Sequence, residues 1–270
     1  MTESPVYAQG KAMILPQGRS LKLGVGIVTY KRADLAAKVV QAVRRHTRHS
    51  FDLVIADDGS PESDVERISR EAPVITGSNH GVCWNKNRAL FYLHARCLCD
   101  VVILLEDDVR PFQTGWERDW IEAAERWGHV NFAGDWFRDA FVSGGGTAVD
   151  PFWSSAFSGQ CTAFSREALT YVGYLDPRYR GFGGGHVEHT LRLARAGFGG
   201  RRAGDQGMLY ALLESPLEIM EAQSARNEAD VQRNVALFQT LQHDNIYRVA
   251  WTNDAEFASF RAEQTRIRGL

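Results

Sequence analysis

Apolar and polar positions in the first 110 residues alternate between two periods. "LKLGVGIV" (residues 21–28), "DLVIA" (52–56), "PVIT" (73–76) and "VVILL" (101–105) are short apolar runs bounded by polar segments, the pattern of buried strands. Amphipathic stretches lie between them. In "ADLAAKVVQAVRRHT", Leu35, Val39 and Val43 recur at helical spacing, with Asp34 as the expected N-cap. "ESDVERISREA" and "CWNKNRALFYLHARC" read as two further helices. Strand–helix alternation of this kind predicts an α/β fold, a parallel sheet covered on both faces. Ligands of such sheets gather outside the carboxyl ends of the strands. The polar residues to examine are therefore those that follow each run: "TYKR" (29–32), "DDGS" (57–60), "GSNHGVCWNKN" (77–87) and "EDD" (106–108).

From about Pro111 the rhythm changes. Trp116, Trp120, Trp127, Trp136 and Trp153 accumulate, and glycine-rich loops appear at "SGGG" and "GFGGGH". Aromatics at this density fill cores or line sugar and nucleobase pockets. The last seventy residues read as mostly helical, most clearly at "EADVQRNVALFQTLQ". The expected organisation is a polar N-terminal arm (1–20), a main domain (21–200) with halves at 21–110 and 111–200, and a helical C-terminal extension (201–270).

Composition narrows the functional class. With 270 residues, 44% of them hydrophobic, and 24% charged, the chain has the make-up of an ordinary globular protein. A net charge of −2 argues against general nucleic-acid or membrane-surface binding. No apolar run reaches the ~18–20 residues a membrane span needs, and the first twenty residues carry no secretory pattern, so a cytoplasmic setting is expected. The four cysteines do not make a disulfide framework in a chain of this length. His94, Cys97 and Cys99 fall in an apolar helical stretch with no second ligand pair, which reads as buried thiols and not a zinc site.

The sharpest feature is the acidic end of "VVILLEDDV", where Glu106, Asp107 and Asp108 close a very apolar strand. Carboxylates this close repel one another, so keeping them ionised requires a compensating cation. Oxygen-only ligands suit a hard divalent ion such as Mg²⁺ or Mn²⁺, which takes one or two protein carboxylates plus substrate phosphates. The acids are expected to hold a metal–diphosphate. Two other motifs are weak. Gly24-x-Gly26 lies inside a strand and lacks the third glycine of a dinucleotide turn. "HVEH" (186–189) lacks the downstream cysteines of zinc deaminases and the spacing of a zinc-protease helix.

Taken together, the segments from about 22 to 200 resemble the family 2 glycosyltransferases, which have the GT-A fold. "GVGIVTYKRADLAAKVVQAVRRHTRHSFDLVIADDGSPE" is similar to that family's opening strand–helix–strand and Asp-Asp-Gly-Ser turn. "NHGVCWNKNRAL" is similar to its Asn-x-Gly-x-x-x-Ala-Arg-Asn-x-Gly segment: Asn79, Gly81 and Asn87 match, and Lys86 replaces arginine. "LLEDDV" stands in the place of its Asp-x-Asp motif, with Glu106 for the first acid and Asp108 for the second. The block from "SGQCTAFSREAL" through "GFGGGHVEHTLRLARAGF" resembles its acceptor side, with His186 at the family's catalytic aspartate and Glu188 at the second acid.

The resemblance implies a GT-A, Rossmann-like, mostly parallel sheet flanked by helices. It implies transfer of a sugar from a nucleoside-diphosphate donor, a uridine one, to a hydroxyl acceptor with inversion, assisted by Mn²⁺ or Mg²⁺. Thr29, Tyr30, Arg32, Asp57 and Asp58 would form the nucleotide side, since a carboxylate can accept from a base N–H. Lys86 would reach the base or diphosphate as a point charge, and Asp107 and Asp108 would carry the metal. A late histidine, His243, is a further candidate ligand. Either His186 or Glu188 would deprotonate the acceptor, or the enzyme would be a retaining one with no dedicated base, as some GT-A enzymes with a Glu-Asn-x-Glu version of this segment are. The acceptor is left open among a glycan, a lipid-linked precursor, a metabolite, a peptide and a modified base. The rival readings are a non-catalytic nucleotide- or glycan-binding module, favoured by the Gly185-His186 replacement, and a nucleotidyltransferase. "TYKRAD", with no glycine after the first strand, speaks against the latter.

Overall fold

In the computed structural model, the described residues are 20–220, 227–241 and 244–269. Residues 1–19 of the expected arm and His243 lie outside them. In chain order the elements are β1 (Leu23–Thr29), α1 (Ala33–His46), β2 (Phe51–Asp57), α2 (Glu62–Ser69), β3 (Val74–Thr76), α3 (Val82–Phe91), β4 (Val101–Glu106), β5 (Val109–Pro111), α4 (Glu117–Trp127), β6 (His129–Phe132), β7 (Phe141–Ser143), β8 (Phe152–Ser154), β9 (Cys161–Ser165), α5 (Arg166–Val172), α6 (Gly185–Arg195), β10 (Gly200–Arg202), β11 (Met208–Leu213), β12 (Leu217–Ile219), α7 (Glu228–Leu241) and α8 (Asp254–Thr265).

The main sheet is ordered β3-β2-β1-β4-β9-β6-β11-β8-β7, with β10 also paired to β11. β1 is parallel to β2 and β4, and β2 to β3. β9 is antiparallel to both β4 and β6, and β11 is parallel to β6. It follows that β1, β2, β3, β4, β6 and β11 all point one way, with β9 reversed in their midst. The α/β class is as expected. The reversal has a consequence for the site: at the functional edge, the residues before β9 stand beside the residues after its neighbours.

β1 is buried along its whole length, as its unbroken apolar run requires. Its two glycines serve packing. A Cβ on Gly26 would sit 2.6 Å from a Leu104 methyl and 2.9 Å from the Ala89 Cβ, so their absence lets α3 lie close against the sheet. Asp34 is not the N-cap of α1; Arg32 occupies that position and Asp34 lies in the first turn, paired with Arg67.

The segment after residue 200 is not helical throughout. β11 is a fully interior sheet strand whose Leu209–Leu213 are buried, and β12 forms a ribbon with β5. Its apolar run "MLYALL" is too short to separate strand from helix by periodicity. The helices α7 and α8 follow, and α8 is anchored against α3. The Arg88 guanidinium, fully buried, donates to both carboxylate oxygens of Glu263 at 3.0 and 3.1 Å, and Trp84 Nε1 donates to the same carboxylate at 3.0 Å.

Candidate active site

The strand register lines up the polar ends. Thr29 is opposite Asp57, Asp57 opposite Thr76, and Val28 opposite Glu106. They open on a cleft of about 910 Å³, within the usual range for small-molecule sites. Its lining includes Thr29, Tyr30, Arg32, Asp58, Asn79, Glu106, Asp107, Asp108 and His186. Of the expected site residues, Asp57, Lys86 and Glu188 do not line it.

The acidic triplet ends β4, and the β5–β12 ribbon clamps its far side, with Met220 N donating to Asp108 O at 2.7 Å. Like charges cannot relax apart here, and cations answer them. Lys86 Nζ lies 2.8 Å from Glu106. Arg32 Nη1 lies 3.0 Å from Asp107 and 3.6 Å from Asp108. Thr29 Oγ1 donates to Asp107 at 2.6 Å. Burial pushes the Asp107 carboxyl up to about 6, against the pull of Thr29 and Arg32. Burial and the Glu106 charge also raise Asp108. Three acids thus face two cations, and Asp108 Oδ1 is buried with no hydrogen-bond partner.

That orphaned oxygen decides whether the site suits a metal. Among the described residues, no group of three or more His, Cys, Asp and Glu side chains converges as a ready cage. A hard ion bound through a diphosphate needs no such cage, only one or two carboxylates. Asp108, with Asp107 beside it, meets that requirement.

The other expected donor residues act through the backbone. Asp57 accepts from Gly59 N, Ser60 N, Ser60 Oγ and Thr76 Oγ1, four donors for the roughly four lone pairs of a carboxylate. It therefore shapes the turn and has no oxygen left for a nucleobase. Asp58 receives His80 N at 3.0 Å, Gly81 N at 2.8 Å and Arg88 Nη1 at 2.9 Å, drawing the loop 77–81 toward β2. Lys86, only 3% exposed, does not reach into the cleft; its ammonium is held by Glu106 and by Gly159 O at 2.7 Å. Two residues that sequence reasoning missed complete this scaffold. Asn85 donates to Thr29 O and Ala56 O, tying β1 to β2, and Arg88 joins that turn to α8. Their signal was present in "NKNR", a polar run inside an otherwise apolar helix, which only tertiary contacts explain.

On the acceptor side the two candidate bases separate. His186, in the first turn of α6, is half-buried and faces the cleft. A Cβ on Gly159 would lie 2.9 Å from the His186 ring and 3.1 Å from Lys86 Nζ, which places the imidazole beside the Lys86–Glu106 pair. Burial, and then the Lys86 charge, lowers His186 to about 4, so at neutral pH it is an uncharged imidazole with an open ring nitrogen. Glu188 is 1% exposed and points inward, with Oε1 accepting from Arg192 Nε at 2.5 Å. It cannot touch an acceptor in the cleft. The same Arg192 donates to Val172 O, Tyr174 O and Ile246 O, so the pair is a structural hub.

Two sets of lining residues were not foreseen as site residues. Residues 157–160 enter the cleft because they precede the reversed strand β9. Trp136 and Phe137 enter because they follow β6 on a 3₁₀ turn (Asp135–Ala140). Trp116, Trp120 and Trp153 are core, whereas Trp136 is 52% exposed.

A strand-ending acid pair, a cleft of small-molecule size and this strand order are the features against which the comparisons are set. The glycosyl transferase family 2 model matches residues 24–144. Over that stretch, just under half of its length, the chain is similar to the family, and its fold is that of GT-A proteins. Among curated proteins none matches it by sequence.

Solved structures agree on the fold. The mannosyltransferase PcManGT from Pyrobaculum calidifontis, in complex with GDP-Man and Mn²⁺, is similar with TM-score 0.51 and 16% identity, over 90% of this chain and 68% of that one. GalNAc-T7 with UDP, GalNAc and Mn²⁺ is similar with TM-score 0.56 and 15% identity, over 91% of this chain but 54% of that one. Glucosyl-3-phosphoglycerate synthase from Mycobacterium tuberculosis, with Mn²⁺, UDP and glucosyl-3-phosphoglycerate, gives TM-score 0.54 and 14% identity, over 81% and 79%.

Proposed function

We propose that this enzyme transfers a sugar from a uridine-diphosphate sugar to a hydroxyl acceptor with inversion, supported by Mn²⁺ or Mg²⁺. The observation that carries the reading is the buried, unpartnered Asp108 Oδ1 beside Asp107 at the cleft-facing end of β4. Mn²⁺ and nucleotides in the three solved relatives support it, two of them with UDP and one with GDP-Man. When bound, the ion supplies Lewis-acid neutralisation of the departing diphosphate.

The chain's own residues divide the remaining work. Asp108 and Asp107 would hold the cation, and Arg32 and Thr29 fix the Asp107 carboxylate. Tyr30, Asn79 and the Asp58-held loop form the nucleotide wall. Lys86 fixes Glu106 against Gly159 and keeps that corner of the cleft closed. His186 accepts the acceptor's hydroxyl proton on its open ring nitrogen. An anionic donor bound nearby would raise its basicity. Glu188 takes no part in proton transfer.

Among the described residues, no helix is long and apolar enough to cross a membrane. A cytoplasmic setting is part of this reading, and the four free cysteines are consistent with it.

Thermal unfolding with UDP or GDP, with and without MnCl₂, on the wild type and Asp108→Asn tests the donor site. A nucleotide at ~100 times its Kd adds about 2.7 kcal/mol of stability. UDP is expected to stabilise only with Mn²⁺, and Asp108→Asn to remove the effect. Absence of any nucleotide shift sinks the donor reading. Metal-dependent binding with no turnover or hydrolysis of any UDP-sugar would leave the non-catalytic module in its place.

A further inference from the structure

A separate cavity of about 410 Å³ lies between α3 and α8, lined by Phe91, Ala95, Arg96, Phe257, Arg261 and Gln264. None of these residues lines the cleft. Local structure explains why they meet. On α8, Phe257, Arg261 and Gln264 are spaced i, i+4 and i+7, which places them on one helical face. Opposite them, α3 runs into a π-helical turn, Tyr92–Arg96, closed by Cys97 N donating to Tyr92 O at 2.8 Å. Bonding across five residues widens the turn, so Arg96 comes round to the side of Phe91. On a regular α-helix those two positions would point apart.

The polar groups of this cavity lack partners. Arg96 and Arg261 are exposed, and among the described residues neither is ion-paired with a carboxylate; the Arg261 guanidinium lies over the Phe257 ring at 5.5 Å. Two acids of α8 are engaged elsewhere, Glu256 by Arg180 and Glu263 by Arg88 and Trp84. Gln264 is 1% exposed, and its Nε2 donates to Arg88 O at 3.0 Å. Its Oε1 is buried with no hydrogen-bond partner, a state that costs stability unless a donor arrives.

These features specify a ligand in three parts. Two guanidiniums without counter-charges suit a phosphate, which they can grip through paired N–H groups. Phe91 and Phe257 suit a flat ring. Gln264 Oε1 calls for an N–H group on that ring. Inorganic phosphate meets only the first requirement, and an apolar segment of protein only the second.

We propose that this cavity is a ligand site, independent of metal, for a nucleoside monophosphate. The phosphate is held by Arg96 and Arg261, and the base lies against Phe91 and Phe257 with an N–H donating to Gln264 Oε1. The site shares no residue with the donor cleft and does not rest on the glycosyl-transfer reading.

Calorimetric titration of AMP, CMP, GMP and UMP into the full chain in EDTA tests this, with the parent nucleosides and inorganic phosphate in parallel. Saturable binding of at least one nucleotide is expected, more weakly by its nucleoside and by phosphate alone. Arg96→Ala and Arg261→Ala are each expected to weaken it about tenfold. Both side chains are exposed and outside any ion pair among the described residues, so these variants keep the fold. The proposal is overturned if no nucleotide binds, if inorganic phosphate binds as tightly as the nucleotide, or if either arginine variant binds as the wild type does. Because the titration excludes metal, its failure leaves the metal-dependent donor reading intact, and loss of that reading leaves this site standing.

Discussion

On the proposed donor side, the polar residues sit immediately after strands: Thr29 ends β1, the Asp57–Asp58 turn ends β2, and Glu106 to Asp108 end β4. On the acceptor side, the cleft is assembled from the turn after β6, the loop before β9, the first turn of α6 and the start of α7. The two sides meet where Gly81 (φ 94°) and Gly181 (φ 67°) touch backbone to backbone, with Val82 N donating to Gly181 O at 3.1 Å. A Cβ on Gly81 would come within 2.2 Å of Gly181 N, so this seam needs two residues without side chains. The donor side is a local device repeated at successive strand ends. The acceptor side is a product of topology.

The sharpest way to break that comparison is to exchange the fates of the two acceptor candidates. His186→Ala is expected to lower kcat by roughly 10²–10⁴ while nucleotide–Mn²⁺ stabilisation survives. Glu188→Gln is expected to retain kcat in the folded protein and to lose about 2–3 kcal/mol of stability, because Arg192 is left without its carboxylate. Steady-state kinetics beside denaturant unfolding reads both. A stable but inactive Glu188→Gln would return the base to Glu188.

Glu263 probes whether the donor side is as local as its motifs suggest. Its carboxylate shares the buried Arg88 guanidinium with Asp58, so Glu263→Ala removes two charge-assisted hydrogen bonds without leaving the cation alone and is expected to cost about 1–3 kcal/mol, read as a lower urea midpoint. A loss below ~1 kcal/mol would show that the motif loop holds itself without α8.

Acid separates the halves by a smaller amount. His129 is buried in the acceptor half, its Nδ1–H donating to Ala163 O and its Nε2 accepting from Thr190 Oγ1 and Asn131 Nδ2. Burial lowers it from 6.5 to about 4. The unfolded chain therefore binds more protons in that window. The contribution is complete above pH 6.5 and is lost as the pH falls toward 4, on the order of a few kcal/mol. Buried His189 acts in the same direction. Melting temperature against pH checks this, and His129→Gln should flatten the curve. The smallest expected effect is at the α8 cap, where Asn253→Ala removes the acceptor for Glu256 N and costs about 1 kcal/mol in thermal unfolding.

Much of the donor half was legible because period and position carry it. A continuous apolar run ending in acids places those acids at a sheet edge whatever the rest of the chain does. Lys86 and Asp57 show where that logic stops. Both occupy the expected places in sequence, yet Lys86 is held by Glu106 and Gly159 and Asp57 by four donors of its own turn and of β3. A motif names a position, but the partners that use up its hydrogen bonds come from elsewhere.

The amino-acid sequence alone determined the strand–helix alternation, the acidic edge and the family likeness, because each follows from short-range periodicity or a contiguous motif. Only the tertiary structure decided that β9 runs backward and that "MLYALL" is a sheet strand. It also turned His186 toward the cleft and Glu188 away from it, and left Trp136 open to the cleft while Trp116, Trp120 and Trp153 pack inside. These depend on which distant segments exclude water from one face of a strand or helix, and that is a property of packing that no local pattern encodes.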